Sequence, residues 1–168
     1  MTNKDPDPFS AFTASVLQLR PESTGEILLQ SGNMDDYPAI HPNYLATRTD
    51  QQTLVAGIRV ARKIARTEPL ASTITEEHAP GPDVGDDDDD ALLEWARNTA
   101  TTIFHPTGTC KMGPDPMAVV DERLRVHGMQ GVRVADCSIM PRIVSGNTNA
   151  PAIMIGEKAS DMVLADST

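Results

Sequence analysis

The amino-acid sequence predicts an α+β fold: an antiparallel sheet with helices, followed by a final strand-to-helix segment. Three observations carry that prediction. Two short apolar runs near the start, residues 12–19 and 26–30, flank a Pro/Gly turn and read as a hairpin. A middle stretch, about 50–65, repeats apolar residues at helical spacing, and an acid run ending at Asp90 suits the start of a second helix over 91–100. The last third sets a short β-prone run ahead of a proline-led helix, the order of an α/β layer rather than of the antiparallel unit before it.

Each element has its own signal. Residues 1–8 hold two prolines and three charges, which predicts a disordered start. From Phe12 to Leu19 the alternation is that of a strand apolar on much of both faces. Pro21–Gly25 is the turn, and Glu26–Gln30 is the returning strand. Residues 31–48 are irregular, broken by Gly32, Pro38 and Pro42. A helix follows from about Asp50 to Ala65, with Asp50 as N-cap and Leu54, Val55, Ile58, Ala61 and Ile64 on one face. Residues 78–90 form an acidic linker ending in Asp86–Asp90, whose last carboxylates suit the N-terminus of a helix over 91–100. That run lacks the spaced ligands and turn glycine of a calcium loop, so it reads as a solvated cap. A turn at 128–131 leads to a short strand ending at Asp136. The last helix runs from about Ala152 to Leu164, with Pro151 in its first turn and Ile155, Ala159, Met162 and Val163 as its apolar stripe, widened by Met154.

Composition removes several function classes. Fourteen Lys and Arg against 24 Asp and Glu give a net charge of −10, which repels DNA, RNA and anionic lipid. No run of about 18 apolar residues exists to span a membrane. The opening MTNKDPDPFS has no apolar signal-peptide core, so a cytoplasmic location is expected. Cys110 and Cys137 lack CxxC spacing, which argues against a zinc ribbon or a disulfide scaffold, and no metal is expected.

The chemistry-bearing residues are few. Neither a G-x-S-x-G elbow nor an H-E-x-x-H pair is present. Gly108–Gly113 has the two-glycine spacing of a phosphate loop, but Pro114 stands where its lysine belongs. No G-x-G-x-x-G follows a strand, so the sequence contains no dinucleotide fingerprint. Of the four histidines, His105 stands apart. Pro106 biases it away from helix, Gly108 permits close backbone approach, and a neutral imidazole can accept a proton at neutral pH. Asn147 and Asn149 lie in the loop before the last helix. There Thr148 or Asn149 suits a cap, and an amide beside Gly146 can also hydrogen-bond an anionic oxygen.

Several linked motifs join these residues. They are Phe104-His-Pro-Thr-Gly-Thr-Cys-Lys-Met-Gly113, Val119-Val-Asp121, Leu124-Arg-Val-His-Gly128, Gly131-Val-Arg-Val-Ala-Asp136, Ser138-Ile-Met-Pro141 and Ser145-Gly-Asn-Thr-Asn-Ala-Pro151. With Phe12-Thr-Ala-Ser15, Gln18–Ser23 and Pro42-Asn-Tyr-Leu45, they resemble, in order over about residues 10–166, the C-terminal signature of the glucose–methanol–choline (GMC) oxidoreductases. The resemblance is strongest to the choline and broad alcohol dehydrogenase branch.

The resemblance implies a substrate-domain portion over residues 9–127 and a cofactor-facing strand, loop and helix over 128–168. It implies FAD as cofactor and an alcohol as substrate, oxidised to an aldehyde by hydride transfer to the flavin. It assigns His105 and Asn147 to the substrate oxygen, and Asp136, Cys137, Thr148 and Asn149 to the cofactor. Alanine is common in the family where Cys137 stands. The glycine-rich FAD fingerprint that the family carries near its N-terminus is missing, so the isolated chain is expected to be inactive. The final strand and helix are expected to return to an absent FAD domain and to leave an apolar patch uncovered. The alternative is a complementing subunit or interaction module that pairs with a separate FAD-binding chain.

Overall fold

A computed structural model describes residues 7–167; the expected disordered start lies outside the described residues except for Asp7 and Pro8. The elements are β1 (Glu26–Leu28), β2 (Ala39–His41), α1 (Arg48–Ala65), α2 (Asp89–Thr99) and α3 (Asn149–Asp166), with short 3₁₀ turns at Ala71–Thr73 and Cys137–Ile139. β1 and β2 form a two-stranded antiparallel sheet, so the α+β class holds. Residues through Gly25 together with His41–Ile103 form one compact unit; Glu26–Ile40 with the residues from Phe104 onward form another.

The hairpin differs from the expected one. Residues 12–19 form no strand, and the partner of β1 is β2, inside the stretch expected to be irregular. The alternation over 12–19 has another cause. Val16 packs against the α1–α2 core, and the Gln18 amide reaches Thr53 Oγ1 on α1 at 3.4 Å. A period of two is a property of any extended chain with one face covered, whether the cover is a sheet or a helix. Gly57 makes this approach possible, because a Cβ there would stand 3.2 Å from Val16.

In the first unit α1 packs on α2 through Val55, Ile58, Leu92 and Ala96, all buried. Both helices start on side-chain caps. Thr47 accepts from the Asp50 amide at 3.3 Å, and Asp88 accepts from the Ala91 amide at 2.9 Å. The expected cap, Asp50, is thus the third residue of α1. Its carboxylate turns back to accept from the amides of Glu22 and Ser23 at 3.0 and 2.8 Å. The acidic linker is more structured than a solvated loop. Asp86 pairs with Arg62 at 2.7 Å and with Arg66, while Asp89 pairs with Arg59. Arg62, 6% exposed, also donates to Glu77 and to the Gly81 carbonyl. A buried guanidinium needs such a full set of acceptors.

In the second unit Val120, Leu124, Ile139 and Met140 receive Ile155 and Ala159 of α3, with Met162 beside them. Ile155, Ala159 and Met162 of the α3 stripe therefore have a host inside this chain. The other stripe residues, Val163 and Met154, stay exposed, as do Ile153 and Leu164 beside them. No regular strand forms over 132–135. The turn at 128–131 folds this segment straight back, so that Val126 donates to the Val132 carbonyl at 3.1 Å and Val134 to the Leu124 carbonyl at 3.1 Å. Gly128 and Gly131 take left-handed φ of 75° and 73° in that turn, which glycine adopts without strain.

Candidate active site

The site grows from two backbone segments laid side by side. Cys110 donates to the Ser138 carbonyl at 3.0 Å, and Met112 to the Ile139 carbonyl at 2.8 Å. Gly108 takes a left-handed φ of 89° at this junction, and a Cβ there would stand 3.4 Å from the Met140 carbonyl oxygen. Phe104, just before His105, also has positive φ, 63°. Such a conformation in a bulky residue costs on the order of 1–3 kcal/mol and persists where its surroundings over-determine it. The Pro106 ring fixes the chain on the other side. His105 is thus held on a stiff bend rather than in a helix or strand.

Its ring meets the start of α3. His105 Nδ1 lies 2.8 Å from Thr148 Oγ1, and Thr148 is 7% exposed. Thr148 occupies the N-cap position of α3, yet its side chain makes no cap hydrogen bond there. The expected side-chain cap by Thr148 is therefore absent, because its hydroxyl faces the imidazole. The Cys137 thiol donates to the Thr148 carbonyl at 3.8 Å. Three expected site residues, His105, Cys137 and Thr148, are linked through Thr148. Asn147 and Asn149 are its chain neighbours, both exposed.

Asp136 stands apart from this linkage. Its carboxylate caps the 3₁₀ turn, accepting from the Ser138 amide at 2.7 Å. The Ser138 hydroxyl and that amide together hold its carboxyl below the usual carboxylate range. Cys137 and Ser138 are the first residues of that turn, so Asp136 fixes the backbone that runs beside Cys110.

The remaining histidines serve other contacts. His78 meets the Phe9 ring edge-on at 4.9 Å, and His127 Nε2 lies 3.2 Å from the Gly113 carbonyl. His41 ends β2. Among the described residues no group of three or more His, Cys, Asp or Glu is placed to hold a metal ion. The groove lined by Arg125, His127, Arg133 and Asp166 contains none of the candidate residues, nor does the acidic hollow at 85–90. The residue whose importance sequence reading missed is Thr148 as a partner of His105. Its signal was Pro151 three positions on, a residue that cannot donate to a cap.

The family model described as GMC oxidoreductase matches residues 21–156. The chain is 45% identical over 153 residues to alcohol dehydrogenase [acceptor] of Pseudomonas putida, covering 91% of this chain and 27% of that protein. It is 48% identical over 152 residues to oxygen-dependent choline dehydrogenase of Pseudomonas fluorescens, covering 90% and 26%. The chain thus spans about a quarter of the length of these relatives. Among solved structures it is similar to formate oxidase of Aspergillus oryzae, with a TM-score of 0.81 at 31% identity over 88% of this chain and 26% of that one. It is also similar to a fungal aryl-alcohol oxidase, with a TM-score of 0.79 at 33% identity over 88% and 24%. Among the described residues no helix is long and apolar enough to cross a membrane. With four-fifths of its length inside the family match, this chain belongs to the GMC oxidoreductase family.

Proposed function

We propose that this chain is the C-terminal part of an FAD-dependent oxidoreductase that oxidises the CH–OH group of a primary alcohol to an aldehyde. The observation that carries the reading is the 2.8 Å contact between His105 and Thr148, because it sets a proton-accepting ring beside the loop that bears Asn147. Relatives named alcohol and choline dehydrogenases, and similar structures described as FAD-dependent or as bearing FAD, support the substrate class and the cofactor.

The residues present fit one edge of such a cofactor. Thr148 gives α3 no side-chain cap and Pro151 has no N–H, so the amides of Asn149 and Ala150 are donors at the positive end of the helix. Asn149 and the main chain at Cys137 and Thr148 would hold that edge, with Asp136 fixing the turn beneath. No glycine-rich phosphate cradle accompanies them, so the rest of the FAD site belongs to a further segment, whether of the same polypeptide or of a separate FAD-binding chain. Bound FAD supplies a two-electron acceptor for the hydride leaving the carbinol carbon.

This chain's residues handle the oxygen. His105 accepts the hydroxyl proton at Nε2, and the side-chain amide of Asn147 donates to the same oxygen as negative charge develops on it. Proton removal and charge stabilisation together ease hydride departure, since an alkoxide expels hydride more readily than an alcohol does. The experiment is to join the chain to the FAD-binding segment of the Pseudomonas putida relative and follow flavin absorbance anaerobically. Primary alcohols, choline included, are expected to bleach the flavin. A flavin-loaded hybrid that no alcohol bleaches would contradict the proposal, and tight FAD retention by the chain alone would contradict the division of the cofactor site.

A further inference from the structure

The three α-helices of this chain begin with the same kind of residue but use it differently. In α1 and α2 the cap oxygen accepts from the amide of the third helical residue, Asp50 for Thr47 and Ala91 for Asp88. In α3 the third residue is Pro151, which has no amide hydrogen to give, and Thr148 itself has φ −90° and ψ 2° instead of the extended backbone of Thr47 and Asp88, so its hydroxyl does not turn onto the remaining Ala150 amide. The acceptor capacity of the Thr148 hydroxyl is therefore released, and the side chain is buried, where an unsatisfied oxygen is costly. The partner it finds is His105 Nδ1, 2.8 Å away and 43 residues earlier in the chain.

We propose that Thr148 is a positioning residue that accepts a hydrogen bond from His105 Nδ1–H, and that Pro151 frees it for this task. The consequence is a fixed tautomer. A neutral imidazole carries one ring proton, so holding it on Nδ1 leaves the Nε2 lone pair outward. In water a neutral histidine favours the opposite form, with the proton on Nε2. Thr148 thus turns His105 into a ready proton acceptor before any substrate arrives, and the left-handed backbone at Phe104 and the Pro106 ring keep the ring in reach. The link to turnover rests on the proposed role of His105; the tautomer itself does not.

The test reads the ring in the 168-residue chain with ¹⁵N-labelled histidine, at a pH well above the ordinary imidazole range of about 6.5. Ring nitrogen–proton correlation should show His105 mainly in the Nδ1–H form. Thr148→Val, which keeps the shape and removes the hydroxyl, should move the tautomer ratio about five- to tenfold toward Nε2–H, the worth of one hydrogen bond. Thr148→Ser should restore the native ratio. Pro151→Ala, which returns an amide to the third position and leaves His105 untouched, should move the ratio in the same direction as Thr148→Val. A native ring mainly in the Nε2–H form, or a ring unmoved by Thr148→Val, would overturn the assignment of Thr148. A ring unmoved by Pro151→Ala would overturn that of Pro151. Because neither flavin nor alcohol is present, failure here is separate from failure of the alcohol-oxidation reading, which the turnover of His105 variants decides.

Discussion

Asp50 illustrates how a single carboxylate is used in this chain. Beside the two amide bonds it accepts from the Ser23 hydroxyl at 2.5 Å, and Ser23 Oγ in turn accepts from the amides of Ala46 and Thr47. Burial opposes its ionisation, but the Ser23 hydroxyl and the amides of Glu22 and Ser23 outweigh that and lower its pKa from 3.8 to about 2. A folded-state pKa below the unfolded one stabilises the fold above the unfolded pKa, and that part is lost as pH falls through the folded one. The stability due to Asp50 is thus full above pH 3.8 and disappears toward pH 2. Denaturant melts should find Asp50→Asn less stable by about 1.5–3 kcal/mol at neutral pH, the range for a hydrogen bond to a charged group. The gap between the two proteins should narrow as pH falls from 3.8 toward 2; a gap independent of pH would show that the charge is not what matters. At Asn147 the expected effect is on chemistry. Asn147→Ala in a flavin-loaded hybrid should lower turnover about 10²–10³-fold, as for loss of one donor to a developing oxyanion, with little change in melting temperature.

At the scale of elements, the helices and the strand at Glu26–Leu28 were legible in the sequence, whereas its partner β2 was not. The α1 stripe and the acid run before Ala91 are local signals, and the structure keeps both helices within a residue or two of the expected bounds. Arg59 and Arg62 on α1 and its C-cap Arg66 recur at three- and four-residue spacing, which marks the face toward Asp86 and Asp89. The strand expected over 12–19 failed because alternation reports a half-covered extended chain, and only tertiary contact with α1 decides the cover. Likewise His105 was legible from Pro106 and Gly108, whereas its bond to Thr148 joins segments 43 residues apart. Two stability predictions belong here. Gly108→Ala should cost about 1–2 kcal/mol in urea titration, because an L-residue is strained at its φ of 89°. Leu92→Ala should cost about 2–5 kcal/mol, since Leu92 is fully buried between α1 and α2. An unchanged midpoint for Leu92→Ala would mean that the helices do not share the core described above.

For the molecule as a whole, the sequence led to a substrate-facing portion with part of a cofactor site, and the family match covers it at about a quarter of its relatives' length. Part of the stripe expected to be uncovered on α3, Ile155, Ala159 and Met162, packs against Val120, Leu124 and Ile139, a long-range outcome that periodicity alone cannot reveal, while Met154 and Val163 stay exposed. Apolar surface remains elsewhere: Leu29 is 91% exposed and Met34 fully so, and Ile153 and Leu164 stand out from α3. Surface of this kind should bind an environment-sensitive dye and favour self-association in the chain alone, and both should diminish when an FAD-binding segment is joined. A dye-silent monomer would argue that these residues face no partner.

The central claim is that His105 takes the substrate proton in alcohol oxidation. The most direct measurement is the anaerobic rate of flavin reduction by a primary alcohol in the flavin-loaded hybrid, with native His105 and with His105→Ala at equal flavin content. A fall of about 10²–10⁴-fold, the usual worth of a positioned general base, is the expected result. Equal rates with and without the imidazole would contradict it.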